Sequence, residues 1–161
     1  MSTIVWNREG VVEDDRWASN GEESAFVSVD EAMELAATGG SDIGVLVEPA
    51  DDVSRLEAIL DRLAIVALDF PAFNDGRAFS QATLLRDRLG YEGEIRAVGA
   101  VLLDQVPFML RVGIDSVETG HEPTARRLTE MRLPGIDLYY QPSAKPAEPT
   151  NTYSWRRRAA G

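Results

Sequence analysis

The run Leu63–Asp69, LAIVALD, is apolar until its last residue. A run this short and this continuous is what a parallel strand covered on both faces needs, and it is far too short to cross a membrane. Ile43–Val47 is an apolar strand ahead of it, and Glu94–Val98 and Ile114–Glu118 read as two further strands after it. Between them lie stretches with helical spacing: 51–62, with Leu56, Ile59, Leu60 and Leu63 on one stripe, then 77–89, a segment ending at Arg111, and 124–132. Strands separated by helices of this length make βαβ units with right-handed crossovers. The expected fold is α/β, with repeated βα units in a mainly parallel sheet, open or partial-barrel-like. The chain has 161 residues, short of the ~250 that a complete eight-fold barrel uses.

Residues 3–17 read as two short strands around a turn at Asn7–Gly10, with Trp6 and Trp17 placed to cover one edge. Gly21–Ser24 is a loop. Ser28 is the expected N-cap of a short helix, with Glu31 completing a capping box. Pro107 is tolerated only in a first turn, so the helix ending at Arg111 is predicted to start near Leu103 or Asp104. Pro134–Gly135 turns the chain into a last strand, Ile136–Tyr140. One α/β domain over 1–141 is therefore predicted, with residues 1–20 as its hairpin and cap. Residues 142–161, rich in proline and small residues and carrying Trp155 and Arg156–Arg158, read as a disordered tail.

Charge and cysteine usage narrow the function classes. The formal charge is 16 − 27 = −11, which opposes nucleic acid and anionic membrane surfaces, where Lys and Arg dominate affinity. There is no cysteine, so this chain forms no disulfide, thiolate nucleophile, Cys-ligated zinc or Cys-held iron–sulfur cluster. Without a signal-peptide core near Trp6, Arg8 and Glu9, the cytoplasm is the expected compartment. No dinucleotide fingerprint, phosphate loop or His cluster is present, and His121 lacks a Ser/Asp relay. No metal is expected; a flavin at a sheet switch point remains compatible with the fold.

In parallel sheets, ligands bind outside the carboxyl ends of the strands, because loops and helix N-termini converge there. Asp69 ends one strand, and Asn74, Asp75, Gly76 and Arg77 follow in its loop; Gly99 ends the next, with Asp104 and Gln105 beyond, and Glu118 ends a third. Asn74 or Asp75 is expected to cap the following helix, with Gly76 permitting close backbone approach. Arg77 in a first helical turn opposes the helix dipole, so it needs an anionic partner, either Asp69 or Asp75 internally or a bound anion. Arg96, inside a strand of a covered sheet, needs a carboxylate or an open cavity, and Asp69 is its expected partner. Asp104 is expected as a cap or dipole partner, with a ligand or acid–base role as the alternative.

The stretch FPAFNDGRAFSQATLLRDRLGYEGEIRAVGAVLLDQ carries a pattern F-P-x-F-x-D-G-R, S-Q, L-L-R, G-E-x-R-A-x-G and D-Q, at Phe70 to Arg77, Ser80–Gln81, Leu84 to Arg86, Gly93 to Gly99 and Asp104–Gln105. On these residues the chain resembles a bacterial family known as domain of unknown function 934, densely from Asp69 to Glu118 and more thinly from Trp6 to Pro49. Members are often labelled as oxidoreductases involved in sulfite reduction. The resemblance implies a role in assimilatory sulfite reduction, with sulfite reductase components as partners. Ala100, Leu103 and Val112 stand where many relatives carry an acid, a base and a cysteine. Three functions stay open: an accessory protein binding the reductase system or a small anionic ligand at the rim; a stand-alone flavin-dependent or small-anion-processing enzyme; and a purely structural interaction module.

Overall fold

The structure, a computed structural model, describes residues 3–18 and 25–130. The expected loop Gly21–Ser24, the strand Ile136–Tyr140 with its preceding turn, and the tail 142–161 lie outside the described residues.

Asn7 and Gly10 close a hairpin between β1 (Ile4–Asn7) and β2 (Gly10–Val12). After α1 (Val29–Ala37) come β3 (Ile43–Val47), β4 (Leu63–Phe70), α2 (Arg77–Thr83), β5 (Glu94–Gly99), α3 (Val106–Arg111), β6 (Ser116–Thr119) and α4 (Glu122–Thr129). One open six-stranded sheet results, in the order β2-β1-β6-β5-β4-β3. β3 to β6 are parallel neighbours in chain order, and β1 joins β6 antiparallel. Because each parallel crossover advances one strand in the same direction, right-handed connections place all the helices on one face. Alternate residues point to that face: Trp6, Val117, Ile95, Ala97, Val66, Leu68, Phe70, Val45 and Val47 belong to one buried cluster.

Ser28 accepts from the Glu31 N–H at 3.2 Å and Glu31 from the Ser28 N–H at 2.9 Å, so the expected capping box is formed. The segment predicted as a helix over 51–62 is instead a 3₁₀ helix, Val53–Arg62, capped by Asp52. Its buried residues are Val53, Leu56 and Ile59, a spacing of three that follows the tighter helix rather than the α-helical stripe. A ~2.0 Å rise per residue also carries a short segment further back along the sheet than an α-helix does. The predicted helix 77–89 is α2 continued by a π turn, Leu84–Arg88, in which the Leu89 N–H reaches the Leu84 carbonyl. A 3₁₀ turn, Leu103–Gln105, leads into α3, so the helical segment starts at Leu103, as Pro107 in its first turns requires.

The opposite sheet face is covered differently. Residues 13–18 leave β2 and cross it, with Asp15 bound to Arg96 and Trp17 lying on Gly44. A Cβ at Gly44 would sit 2.4 Å from the Trp17 ring, so this glycine makes room for the indole. The tryptophans thus do not cap an edge as predicted: Trp6 is 1% exposed under the helices, and Trp17 stacks with Phe26 on the other face. The outer edge of β3 is instead extended by Val27, which exchanges backbone hydrogen bonds with Gly44 and Leu46.

Candidate functional site at the carboxyl rim of the sheet

The loops after β4 and β5 meet, as the sequence implied, but by ties that the pattern did not reveal. Gln105 Nε2 donates to the Phe73 carbonyl at 2.8 Å, while its Oε1 accepts from the Leu102 N–H. One side chain therefore fixes its own 3₁₀ turn and the neighbouring loop. Asp104 is exposed in that first turn and makes no cap hydrogen bond; the capping falls to Gln105. The N-cap of α2 is Gly76, with no side-chain cap, rather than Asn74 or Asp75; Asp75, one residue earlier, accepts from the Arg77 N–H at 3.1 Å and grips the Arg77 guanidinium at 3.0 and 2.7 Å. Of the two internal partners expected for Arg77, the fold uses Asp75. Asn74 is exposed in the same loop. Gly76 has φ −93°, and an added Cβ would meet only Phe79 at 3.9 Å, so the close approach expected there is not used.

The close approach occurs at Gly99. Its φ is +93°, and a Cβ there would lie 2.6 Å from the Phe70 carbonyl oxygen and 2.8 Å from Asp69 Oδ1. The strand ends of β4 and β5 are pressed together at this point, with the Asp69 carboxyl against the glycine backbone. Asp69 is half-buried. Burial, then the nearby Glu48 and Asp75 carboxylates, push its pKa above the ordinary carboxylate value. A carboxyl raised in the folded state destabilises the fold where it is charged, and the penalty fades as pH falls through the folded pKa. Asp69→Asn is therefore expected to raise the thermal midpoint at pH 7, with the gain shrinking as pH falls through the raised folded pKa and gone below the ordinary value of 3.8; a lower midpoint at neutral pH would contradict a buried carboxylate penalty.

Arg96 is not at the rim. The register places it opposite Ala67 and Ser116, below Asp69, which lies opposite Val98. Its side chain is 0% exposed and is held by Asp15 Oδ1 at 3.0 Å, Glu94 Oε1 at 3.0 Å and the Ser116 hydroxyl at 3.1 Å, with Glu118 at 3.6 Å. The expected Arg96–Asp69 pair is thus replaced by a cluster turned towards β6 and the crossing segment. Burial alone would raise the Asp15 pKa, but the Arg96 hydrogen bonds and charge, with the Trp17 and Ala18 N–H groups, bring it below the ordinary value.

Above this cluster, on the same face, a cavity of about 310 Å³ opens between Thr3, Phe26, Leu46, Val98, Gly99 and Glu118. Glu118, only 4% exposed, forms part of its wall. Around the helical side of the rim stand Phe73, 65% exposed, and Phe108, 39% exposed. His121 bonds Thr124 through Nδ1 at 2.7 Å.

Two structural residues escaped sequence reasoning. Gln81 Nε2 bridges the Glu48 and Asp51 carbonyls, clamping the β3 loop to α2. Arg86 donates to the carbonyls of Gly113, Tyr91 and Gly93 and to the Asp115 carboxylate. Both belong to the S-Q and L-L-R elements of the pattern, the only signal that marked them. Among the described residues, no helix is long and apolar enough to cross a membrane, and no group of three or more His, Cys, Asp or Glu is arranged to hold a metal.

Compared with known proteins, residues 44–151 match the model of a family described as Bacterial protein of unknown function (DUF934), covering more than half of the chain. No curated protein and no solved structure matches it.

Proposed function

We propose, for a chain that belongs to the DUF934 family of bacterial proteins of unknown function, a role as an accessory protein of assimilatory sulfite reduction that acts by binding the reductase system. The pathway rests on the family resemblance; the mode of action rests on the rim.

The observation that carries the binding role is Phe73, 65% exposed on a loop fastened by Gln105 and by the Asp75–Arg77 pair. An aromatic side chain held out on a fixed loop enters a partner's pocket with little ordering cost. A small anion fits this rim less well. Arg77 is already neutralised by Asp75, Arg96 is buried among carboxylates, and Asp69 and Glu48 present negative charge where an anion would sit.

The test is sulfide output from sulfite reductase with and without the purified protein, beside growth on sulfate of a strain lacking it. The expected result is lower output and poor growth without the protein, restored by the wild-type chain. Unchanged output and growth in its absence would sink the proposal.

A further inference from the structure

Between α2 with its π turn and α3 runs a second feature, an open groove of about 310 Å³. Its floor is apolar: Phe79, Leu84, Phe108 and Val112, with the Phe79 and Phe108 rings 4.7 Å apart. At its side lies Arg88. Arg16, Arg55, Arg77, Arg86 and Arg96 each pair with a carboxylate; among the described residues the Arg88 side chain, like those of Arg8, Arg126 and Arg127, makes neither an ion pair nor a hydrogen bond, and of these four Arg88 is the one that lines the groove. Acids are not scarce in this chain, which has 27 Asp and Glu against 16 Lys and Arg. An unengaged guanidinium beside an aromatic-floored groove is complementary to one kind of occupant, an apolar anchor with a carboxylate close by.

We infer that the α2–α3 groove receives an amphipathic helix of a partner protein, which lays an apolar side chain over the contacting Phe79 and Phe108 rings and places a carboxylate on Arg88. A groove between two helices is shaped for a third, and helix-in-groove recognition uses anchors at i, i+3 or i+4 and i+7. The acid belongs one turn from the anchor, where i and i+4 side chains share a face. The inference rests on the docking role proposed above and gives that docking its chemistry. The π turn contributes directly, because Leu84 and Arg88 are its first and last residues.

The experiment uses the full chain and two fluorescently labelled, designed amphipathic helical peptides with the same apolar anchors. They differ in one residue four positions from the central anchor, Glu in one and Lys in the other. By anisotropy, the Glu peptide is expected to bind at least about tenfold more tightly, and Arg88→Glu to reverse the preference. Ser80→Trp, which fills the groove from its exposed side, and Phe108→Asp are both expected to abolish binding, with thermal melts confirming that each variant is folded. Equal affinities, no binding of either peptide, or binding that survives Ser80→Trp would overturn the inference. So would concentration-dependent dimerisation lost in Phe108→Asp, since the occupant is then a second copy. No reductase is present, so this outcome is separable from failure of the sulfite-reduction role: a reductase that binds a chain whose groove takes no helix docks elsewhere.

Discussion

Arg96→Ala is expected to cost about 3–5 kcal/mol of folding stability, because it leaves buried carboxylates without their counter-charge. Arg96 is 0% exposed and sits among Asp15, Glu94 and Glu118. It also pins residues 13–18 across the sheet face that carries no helices. In a chain of this size each kcal/mol moves the thermal midpoint by about 2–4 °C, so a drop of roughly 6 °C is the minimum to look for in thermal unfolding. The pH dependence has a definite sign. Asp15 is held below its ordinary pKa in the folded state, so its contribution is full above the unfolded value of 3.8 and is lost as pH falls through the folded one. The gap between wild type and Arg96→Ala should therefore be widest near neutral pH and narrow below pH 4. A double variant, Asp15→Ala with Arg96→Ala, should lose less than the two single losses added together, because the partners act as a unit. A loss below 1 kcal/mol would mean that the crossing segment is not held by this cluster.

Arg86→Ala is expected to destabilise by a similar amount, about 3–5 kcal/mol, for a different geometric reason. The π turn delivers its guanidinium to three backbone carbonyls, those of Gly113, Tyr91 and Gly93, and to the Asp115 carboxylate. These acceptors lie in the loops before β5 and β6, so one side chain aligns the entry of two parallel strands. Lysine keeps the charge but not the planar fork, and Arg86→Lys should recover less than half of the loss. Denaturant unfolding checks both variants. A second readout is Tyr91, which burial pushes up to about 12 while Arg86 pulls it down. In Arg86→Ala the tyrosine should titrate higher still, in a pH range measurable by absorbance only if the variant stays folded. Full rescue by lysine would show that charge alone matters.

The parts of this architecture legible in the sequence were those written in local periodicity. The run Leu63–Asp69 announced a buried parallel strand and is one, extended to Phe70. Ser28 and Glu31 announced a helix start, and Pro107 fixed where the last turn before α3 had to begin. Helix type was less legible, because the stripe of Leu56, Ile59 and Leu60 fits both an α-helix and the tighter coil that forms. At the rim, residue chemistry required Arg77 and Arg96 to find carboxylates, and both did. For Arg77 the partner lay two residues away and was among those expected. For Arg96 one partner, Glu94, lay two residues away, and the other was Asp15, 81 residues distant, on a segment without strand or helix pattern to betray its path. Long-range ties made by Gln81, Arg86 and Gln105 share that invisibility: apart from the Arg86–Asp115 pair they end on backbone carbonyls, which carry no residue identity. What the sequence placed at one rim is therefore split by the fold. Asp69, Asp75, Arg77, Gly99, Asp104 and Gln105 stay at the carboxyl ends of the strands, and Arg96 becomes a strut beneath them.

The most direct measurement of the docking role is co-purification of sulfite reductase with the tagged wild-type chain and with Phe73→Ser, at matched expression and confirmed folding. Truncating an exposed aromatic anchor should weaken capture by about thirtyfold, the equivalent of ~2 kcal/mol, without lowering the thermal midpoint. Reductase retained by the wild type and lost in Phe73→Ser is the expected result. Equal recovery with both chains, or none with either, would contradict a rim that works by binding the reductase.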